Sequence, residues 1–373
     1  MKLSGLYIHI PFCKSKCRYC DFNSYANREE CIAPYFSALN SEIQAWAKKE
    51  KDRHFDTVYF GGGTPSYIET KTLCKAIDEI CSKFNVEDNA EITVECNPGT
   101  ISFDGFKELK SAGVNRLSIG LQSTDDRALQ LLGRIHTFSD FERCFSDARR
   151  AGFDNISLDL MYGLPDMTMT DWEKTLGKTI ALETEHISAY ALKIEEGTAF
   201  SKMKLALPNE DLSADMYELA VTNLRNAGYT RYEVSNFAKS DREARHNQKY
   251  WECTDFLGLG AGAYSCVNGE RFSNVCGIEE YMCLAQESGF AVAERAPVSF
   301  EEQMSEFVFL GLRCEKGISL SEFEDRFKKP LMSVFGEAVK KHKNMGFLVI
   351  EGDRLRFADK AFFVSNAILA DFV

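Results

Sequence analysis

The stretch Leu6-Tyr7-Ile8-His9-Ile10-Pro11-Phe12-Cys13 runs from a short apolar segment directly into three cysteines, Cys13, Cys17 and Cys20. The apolar segment predicts a strand over Leu6–Ile10, and the cysteines, spaced C-x₃-C-x₂-C, fall in a loop over Pro11–Tyr25. Three thiolates can hold three irons of a cubane cluster, whereas most clusters take four. The spacing therefore indicates an iron–sulfur site with one iron open to a small molecule.

Two other interpretations of the cysteines stay open on spacing alone. A structural zinc site needs four ligands, and the next cysteine, Cys31, follows Cys20 by eleven positions. A more distant fourth ligand would complete such a site. The chain also has 13 cysteines, so three of them can fall into a short pattern by chance.

The composition limits the classes of partner. The chain has 373 residues and a formal net charge of −12, which argues against binding to nucleic acid or to an anionic membrane surface. No run approaches the 18 or so apolar residues of a membrane-spanning helix, and the start lacks the apolar stretch of a signal peptide. Scattered cysteines in such a chain are typical of reduced thiols, so we expect a cytoplasmic protein.

Apolar strand-like runs alternate with helical patterns over the first 195 or so residues. Tyr35, Leu39, Ile43 and Trp46 form one helical face, and Phe103–Ala112 and Asp140–Ala151 are further helices, with Gly113 and Gly152 at their ends. The predicted strands are Leu6–Ile10, Thr57–Phe60, Glu91–Glu95, Arg116–Gly120, Asn155–Leu160 and His186–Leu192. Six such repeats predict an α/β fold, a partial (β/α)₆ barrel with a parallel sheet.

Distinctive residues follow the predicted strand ends. The cysteines follow the first strand, Gly61–Pro65 the second, Glu95 ends the third, and Gln122 and Asp159 lie at the ends of the fourth and fifth. In a barrel these ends share one face, which carries the active site. Each residue alone could be an ordinary turn residue, but five segments converge. The glycine loop matches neither a P-loop nor a dinucleotide motif.

Together, Tyr7–Cys13, the C-x₃-C-x₂-C loop and Gly61-Gly62-Gly63-Thr64-Pro65 resemble the radical S-adenosylmethionine (SAM) enzymes. Within them, the chain resembles the branch of HemN-type coproporphyrinogen III dehydrogenases and HemW-type heme chaperones, over nearly its whole length. The resemblance implies a [4Fe–4S] cluster on Cys13, Cys17 and Cys20, with SAM on the open iron. In this family one electron from the cluster can cleave SAM to methionine and a deoxyadenosyl radical.

The resemblance also implies a set of SAM contacts. Tyr7 would lie under the cluster and Tyr19 would touch the adenine, while the glycine loop would meet the methionine amino group. Polar side chains would surround the ribose and the carboxylate, and one backbone contact would come from the sixth strand. The residues implied are Tyr7, Tyr19, Gly62, Gly63, Thr64, Glu95, Gln122, Arg134, Asp159 and Ala191.

Three features favour the chaperone over the dehydrogenase. The dehydrogenase pattern has a fourth cysteine where this chain has Phe22, which puts decarboxylation in doubt and leaves no residue assigned as catalytic. The dehydrogenase also carries a longer segment before the first strand. Finally, His246-Asn247-Gln248-Lys249-Tyr250-Trp251 matches the H-N-x-x-Y-W motif of the chaperones.

The H-N-x-x-Y-W motif has a chemistry that suits heme. Imidazole is a common axial ligand of heme iron, and Tyr250 and Trp251 offer flat apolar surfaces. The resemblance therefore implies heme contacts at His246, Asn247, Tyr250 and Trp251, with the axial ligand left open. The alternative is that His246 bonds within a loop and the aromatic residues belong to the core.

The last part of the chain changes in character. Ser299 and Glu302 predict a capping box, followed by a helix, a second helix at Leu320–Phe327 and a hairpin of Phe347–Glu351 with Arg354–Phe357. This order resembles a winged helix, but 11 Lys and Arg against 12 Asp and Glu indicate a packing or lid domain. The predicted units are a barrel core over 1–195, a barrel-edge extension over 196–298 and a C-terminal α+β domain over 299–373.

The leading hypothesis is a heme-binding radical SAM protein that delivers heme to acceptor proteins. The alternatives are a coproporphyrinogen III dehydrogenase or another radical SAM tetrapyrrole enzyme. The partners expected are heme, a heme-acceptor protein that can itself lie in a membrane, and an electron donor of the flavodoxin or ferredoxin class, with a homodimer left open. Gly258–Tyr264 predicts a close-packed turn rather than a nucleotide site, because its spacing is G-x-G-x-G.

Overall fold

A computed structural model describes residues 3–373, so Met1 and Lys2, at the start of the first predicted unit, lie outside the described part. The strands are β1 Ser4–Ile10, β2 Phe12–Cys13, β3 Tyr25–Ala26, β4 His54–Gly62, β5 Asn85–Cys96, β6 Arg116–Gln122, β7 Ile156–Tyr162, β8 His186–Ala191, β9 Thr230–Arg231, β10 Asn236–Ala238, β11 Phe256–Leu259, β12 Tyr264–Val267, β13 Glu270–Asn274, β14 Val292–Pro297, β15 Ile318–Ser319, β16 Leu348–Glu351 and β17 Arg354–Phe357.

The α-helices alternate with these strands in the first half of the chain and cluster near its end. They are α1 Ile32–Lys49, α2 Thr70–Lys83, α3 Phe103–Ser111, α4 Asp126–Leu132, α5 Phe138–Arg150, α6 Met169–Ile180, α7 Glu210–Asn226, α8 Arg245–Trp251, α9 Ile278–Ser288, α10 Phe300–Gly311, α11 Leu320–Phe327, α12 Leu331–Asn344 and α13 Ser365–Leu369.

One twelve-stranded sheet forms the body of the molecule, in the order β14-β13-β12-β11-β1-β4-β5-β6-β7-β8-β10-β9. The stretch from β11 to β8 is parallel throughout, and the strands beyond it at both ends are antiparallel. The strand order has two free ends, so within residues 3–373 the sheet forms a barrel that does not close. The α/β fold with a partial barrel is confirmed.

All six predicted strands are present, as β1, β4, β5, β6, β7 and β8, but the parallel stretch has a seventh member. The predicted turn over Gly258–Tyr264 is wrong at both ends, because Gly258 lies inside β11 and Tyr264 begins β12; only the residues between the strands turn, with Gly260 at φ +98°. A Cβ at Gly258 would lie 2.1 Å from the Tyr264 carbonyl oxygen. Glycine therefore allows β12 to approach closely, a tertiary constraint that β-propensity does not report.

The predicted helices cover the sheet. The face Tyr35, Leu39, Ile43 and Trp46 of α1 is buried, as the periodicity predicts, and each such side chain contributes about 1.5–3 kcal/mol through removal from water. The helices α3 and α5 end just before Gly113 and Gly152, which have φ +92° and +93°. Both glycines therefore act as helix stops, as predicted.

The C-terminal segment has the order α10-β15-α11-α12-β16-β17, which is the winged-helix-like arrangement expected. The capping box is present, since the Glu302 amide donates to Ser299 Oγ at 3.2 Å and the Ser299 amide donates to the Glu302 carboxylate at 2.7 Å. The sequence patterns missed α12 because few of its side chains are buried, so its apolar stripe is weak. They also missed the two-residue strand β15.

The boundaries at residues 195 and 298 stay predictions. The segment between them adds strands to both ends of the sheet, through β9 and β10 at one end and β11–β14 at the other. In the part of the chain that the structure describes, every helix is too short or too polar to cross a membrane.

Candidate cluster and cofactor site

The three motif cysteines lie at the carboxyl end of the parallel strands. Cys13 ends β2, which pairs with β3, and Cys17 and Cys20 follow in the loop between those two strands. All three line one cavity of about 140 Å³, together with residues from the ends of β4, β5, β6 and β7. The convergence predicted from the strand ends is therefore present.

Each cysteine sulfur has a polar neighbour from a different part of the chain. Thr64 Oγ1 donates to Cys13 Sγ at 3.5 Å, and Arg134 Nη1 lies 3.6 Å from Cys17 Sγ. The Ser24 hydroxyl lies 4.0 Å from Cys20 Sγ. Burial raises the pKa of Cys13 and of Cys20, so these neighbours are needed to stabilise thiolates there.

The three motif thiols of the described chain are not gathered around a single point. Among residues 3–373, no three His, Cys, Asp or Glu side chains are grouped so that they could hold one metal ion. A zinc site needs its ligands around one point, whereas a cubane takes one thiolate on each of three irons. The zinc alternative therefore has no preformed site in this part of the chain.

The glycine loop packs directly against the cysteine loop. A Cβ on Gly62, which has φ +110°, would lie 2.4 Å from the His9 ring, and one on Gly63 would lie 2.7 Å from the Phe12 carbonyl oxygen. The amides of Gly63 and Thr64 donate to Ile10 O and Phe12 O at 2.8 Å. An ammonium group needs acceptors and these amides are donors, so the predicted contact of the glycine loop to an amino group stays a prediction.

Two partly buried carboxylates face the cavity. Glu95 accepts from Tyr59 Oη at 2.8 Å and from the Gly62 amide at 3.1 Å, and burial raises its pKa to about 7. Asp159 accepts from the Ser118 hydroxyl, and burial also raises its pKa. Carboxylates of this kind can accept hydrogen bonds from the hydroxyl groups or the ammonium group of a ligand.

Arg134 brings a guanidinium group to the site. Its Nη2 donates to the Gly120 carbonyl at 2.7 Å and to Asn97 Oδ1 at 2.5 Å, in addition to the contact with Cys17. Its Nε is buried and has no partner among residues 3–373. A guanidinium N–H without a partner, beside the cysteines, can donate a hydrogen bond to the carboxylate of a ligand. The residues present therefore fit SAM, which carries a carboxylate.

The other predicted SAM residues divide into two groups. Tyr19 and Gln122 line the cavity, and Gln122 has the left-handed φ of +67°, a strain typical of functional sites. Tyr7 and Ala191 do not line it. The Tyr7 hydroxyl bonds to His9 Nδ1 at 2.9 Å, and Ala191 is the exposed last residue of β8.

Asn97 is a site residue that the sequence analysis missed. Its Nδ2 donates to Thr64 Oγ1 at 2.9 Å and its Oδ1 accepts from Arg134, so it joins two of the predicted SAM contacts. It follows β5 directly. Its position fits the rule that polar residues after strand ends reach the site, which the sequence analysis applies to this strand only through Glu95.

The H-N-x-x-Y-W motif lies on α8, away from the cysteines. His246 is buried, and its Nδ1 and Nε2 bond to Thr57 Oγ1 at 2.9 Å and to Tyr250 Oη at 2.8 Å. Its ring stacks on Tyr59 at 5.1 Å. Both ring nitrogens are engaged, so the placement argues against His246 as an axial ligand, and the heme contacts predicted for Asn247 and Tyr250 stay predictions.

The comparisons with known proteins identify the family. Residues 7–178 match the Radical SAM superfamily and residues 298–364 match the HemN C-terminal domain. The heme chaperone HemW of Bacillus subtilis is 38% identical over 351 residues, which is 93% of each chain. The chain belongs to the HemW family.

Other relatives agree with this membership. The heme chaperone HemW of Lactococcus lactis is 35% identical, over 100% of this chain and 98% of that protein. The mitochondrial radical S-adenosyl methionine domain-containing protein 1 of Bos taurus is 33% identical, over 98% and 86% of the two chains. The coproporphyrinogen III oxidase HemN of Escherichia coli has the same fold, with TM-score 0.89, 24% identity and coverage of 99% and 90%. Membership of this family implies a [4Fe–4S] cluster and SAM.

Proposed function

We propose that this chain binds heme and delivers it to acceptor proteins. The observation that carries the proposal is the full-length similarity to HemW heme chaperones, at 35–38% identity. The residue at the fourth-cysteine position supports it, because Phe22 lines the cluster cavity and supplies no thiol there. The HemN protein shares the fold at lower identity, which by itself carries no activity to this chain.

In this proposal Cys13, Cys17 and Cys20 hold the cluster, and Arg134 pairs with the SAM carboxylate. When bound, the two groups supply one-electron chemistry at the open iron. The protein's part is to hold them in a buried cavity. Glu95 and Asp159 accept hydrogen bonds from SAM, Gln122 and Tyr19 face its ribose and adenine, and Tyr7 and Ala191 support the site from outside the cavity.

The proposed partners follow from the same function. They are heme, a heme-acceptor protein, and an electron donor of the flavodoxin or ferredoxin class for the cluster. A cytoplasmic location belongs to the proposal as well. The net charge of −12 is consistent with a partner set that has no nucleic acid.

The test separates heme binding from porphyrinogen turnover. The full chain is purified without oxygen, its cluster is rebuilt, and one sample receives heme while a second receives coproporphyrinogen III, SAM and a strong reductant. We expect stoichiometric heme binding and no protoporphyrinogen. The HemN of Escherichia coli serves as the positive control for the turnover reagents.

Two outcomes would contradict the proposal. A chain without a Soret band after incubation with heme does not bind it, and the proposal fails. Turnover to protoporphyrinogen at a rate near that of the control would instead make the chain a dehydrogenase for which the missing thiol is dispensable.

A further inference from the structure

A large cleft separates the barrel from the C-terminal domain. Its volume is about 980 Å³, at the upper end of the range for small-molecule sites. One wall comes from α8 and the residues after β9, and the other from the hairpin β16–β17. Trp251, the last residue of the H-N-x-x-Y-W motif, lies in the first wall, so the motif is divided between the barrel interior and the cleft.

The cleft lies at the end of the barrel opposite the cysteines. The His246 ring is beside Gly5, where a Cβ would lie 3.2 Å from it. Gly5 precedes the carboxyl end of β1 at Ile10 by five residues, which is about 16 Å along a strand. A ligand in the cleft is therefore separated from the cluster by the length of the barrel, so it is not placed to react with a SAM-derived radical.

The lining of the cleft suits a flat ligand with a carboxylate. Trp251 presents a large ring whose Nε1 is buried without a partner in the described part of the chain, and Val349 and Ala358 add apolar surface. Arg354 makes no ion pair with any residue of the range 3–373. Its Nη1 donates to the Gly317 carbonyl at 3.4 Å, and the acids beside and opposite it in the hairpin, Asp353 and Glu351, bond to other residues.

Most other charges in the cleft already neutralise one another. Its remaining cations each form an ion pair with an acidic residue in the same lining. These pairs are Arg231 with Glu315, Arg225 with Asp359, Lys316 with Glu252 and Arg356 with Glu351. Arg354 is therefore the cation that is available to an incoming carboxylate.

Only one side chain of the lining can serve as a strong ligand for heme iron. Histidine, cysteine, methionine and tyrosine are the usual axial ligands, and the described lining contains only Cys314 and Tyr232 from this set. The Tyr232 hydroxyl is engaged by His186 Nε2 at 2.9 Å and by the Ala244 amide at 3.3 Å. Cys314 also borders a smaller adjoining recess that contains Phe307 and Ile318.

We propose that heme binds in this cleft, with the Cys314 thiolate on the iron, the Trp251 ring against the macrocycle and Arg354 paired with a propionate. This inference rests on the proposed function. On ligation the thiol proton leaves to solvent, an iron–sulfur bond forms, and no electron is transferred. Burial raises the pKa of Cys314 to about 12, so the thiol is protonated until iron displaces its proton.

The test titrates ferric heme into the full chain with its cluster rebuilt. Magnetic circular dichroism of the wild-type complex reports thiolate ligation without any substitution. We expect Cys314→Ser to lose that signature and to bind heme at least about tenfold more weakly. We expect Arg354→Glu to lower affinity by about tenfold, the scale of one charge-assisted contact.

Matched controls leave the cleft untouched. Cys144→Ser changes a cysteine that is similarly buried, on α5, and Arg127→Glu reverses an exposed arginine of α4 that has no ion pair in the described range. Both should bind heme like the wild type. Iron and sulfide content and circular dichroism verify that each variant is folded.

The outcomes separate the two proposals. If the wild type binds no heme, the proposed function fails and the cleft assignment with it. If the wild type binds heme without a thiolate signature, or if Cys314→Ser and Arg354→Glu both bind as tightly as the controls, the cleft assignment alone is wrong.

Discussion

The cysteine cavity and the surroundings of His246, at opposite ends of the barrel, differ in how their polar side chains are satisfied. At the cysteine end, a cavity of about 140 Å³ holds three thiols, two carboxylates and a guanidinium whose Nε has no partner in the described chain. At the other end, His246 has both ring nitrogens bonded within the protein. An unpartnered donor in a cavity is available to a ligand, whereas a side chain that is fully bonded within the protein is explained by the fold.

The comparison shows that a family motif need not act as one unit. In the H-N-x-x-Y-W motif, His246 and Tyr250 bond to each other inside the fold, and Trp251 faces the cleft. In the cysteine motif all three thiols face the same cavity. A helix directs successive side chains about 100° apart, so neighbours on α8 serve different surfaces.

The largest expected effect tests whether the two ends are independent. Cys17→Ala should reduce cluster iron and labile sulfide to near background, because Cys17 supplies one of the three thiols. Heme affinity should remain within about twofold of wild type, since the cleft lies at the opposite end. The measurements are iron and sulfide assays and a heme titration.

Cys81→Ala is the control for that variant, because Cys81 is an exposed cysteine on α2. It should retain both the cluster and heme. If Cys17→Ala lost both the cluster and heme binding with its overall fold intact, the two ends would be coupled. That result would contradict the independence of the two ends.

A smaller effect tests the structural role of His246. His246→Ala should lower the free energy of unfolding by about 4 kcal/mol, because it opens a cavity and leaves two buried hydroxyl groups without their partner. Anaerobic urea denaturation gives that quantity. Heme affinity, measured under conditions where the variant is folded, should change little.

Trp251→Ala gives the reverse pattern, with a weaker heme complex and a smaller loss of stability, since Trp251 is only partly buried. If His246→Ala abolished heme binding and left the stability unchanged, the imidazole would be a ligand, and the division of the motif would be wrong.

The smallest effect concerns the tight packing at the cysteine end. Gly62→Ala should destabilise the protein by about 2 kcal/mol more than Gly99→Ala does. Both glycines have positive φ, so both variants carry backbone strain, but only a Cβ at Gly62 meets another group, the His9 ring at 2.4 Å. Thermal unfolding of the two variants, followed without oxygen, measures the difference, and equal losses would show that the His9 ring moves aside at no cost.

Much of the barrel was predictable because its signals are local. Continuous apolar runs between helical repeats identified the six strands of the barrel core, and the order of strand ends then predicted which residues meet. The sequence analysis missed the strand β11 because glycine has a poor strand propensity. In addition, the pairing of β11 with β1 joins residues that are far apart in sequence. The position of Asn97 directly after β5 was open to the same rule, but its bonds to Thr64 and Arg134 appear only in the tertiary structure.

The sequence by itself determined the cysteine spacing, the barrel repeats and the family, because these depend on residue types at short separations. Only the tertiary structure decided that Arg134 reaches Cys17, that His246 points into the barrel and that Cys314 and Trp251 line the same cleft. Those contacts join residues separated by tens to hundreds of positions. Their geometry is set by how sheet, helices and C-terminal domain pack together, which a local pattern does not encode.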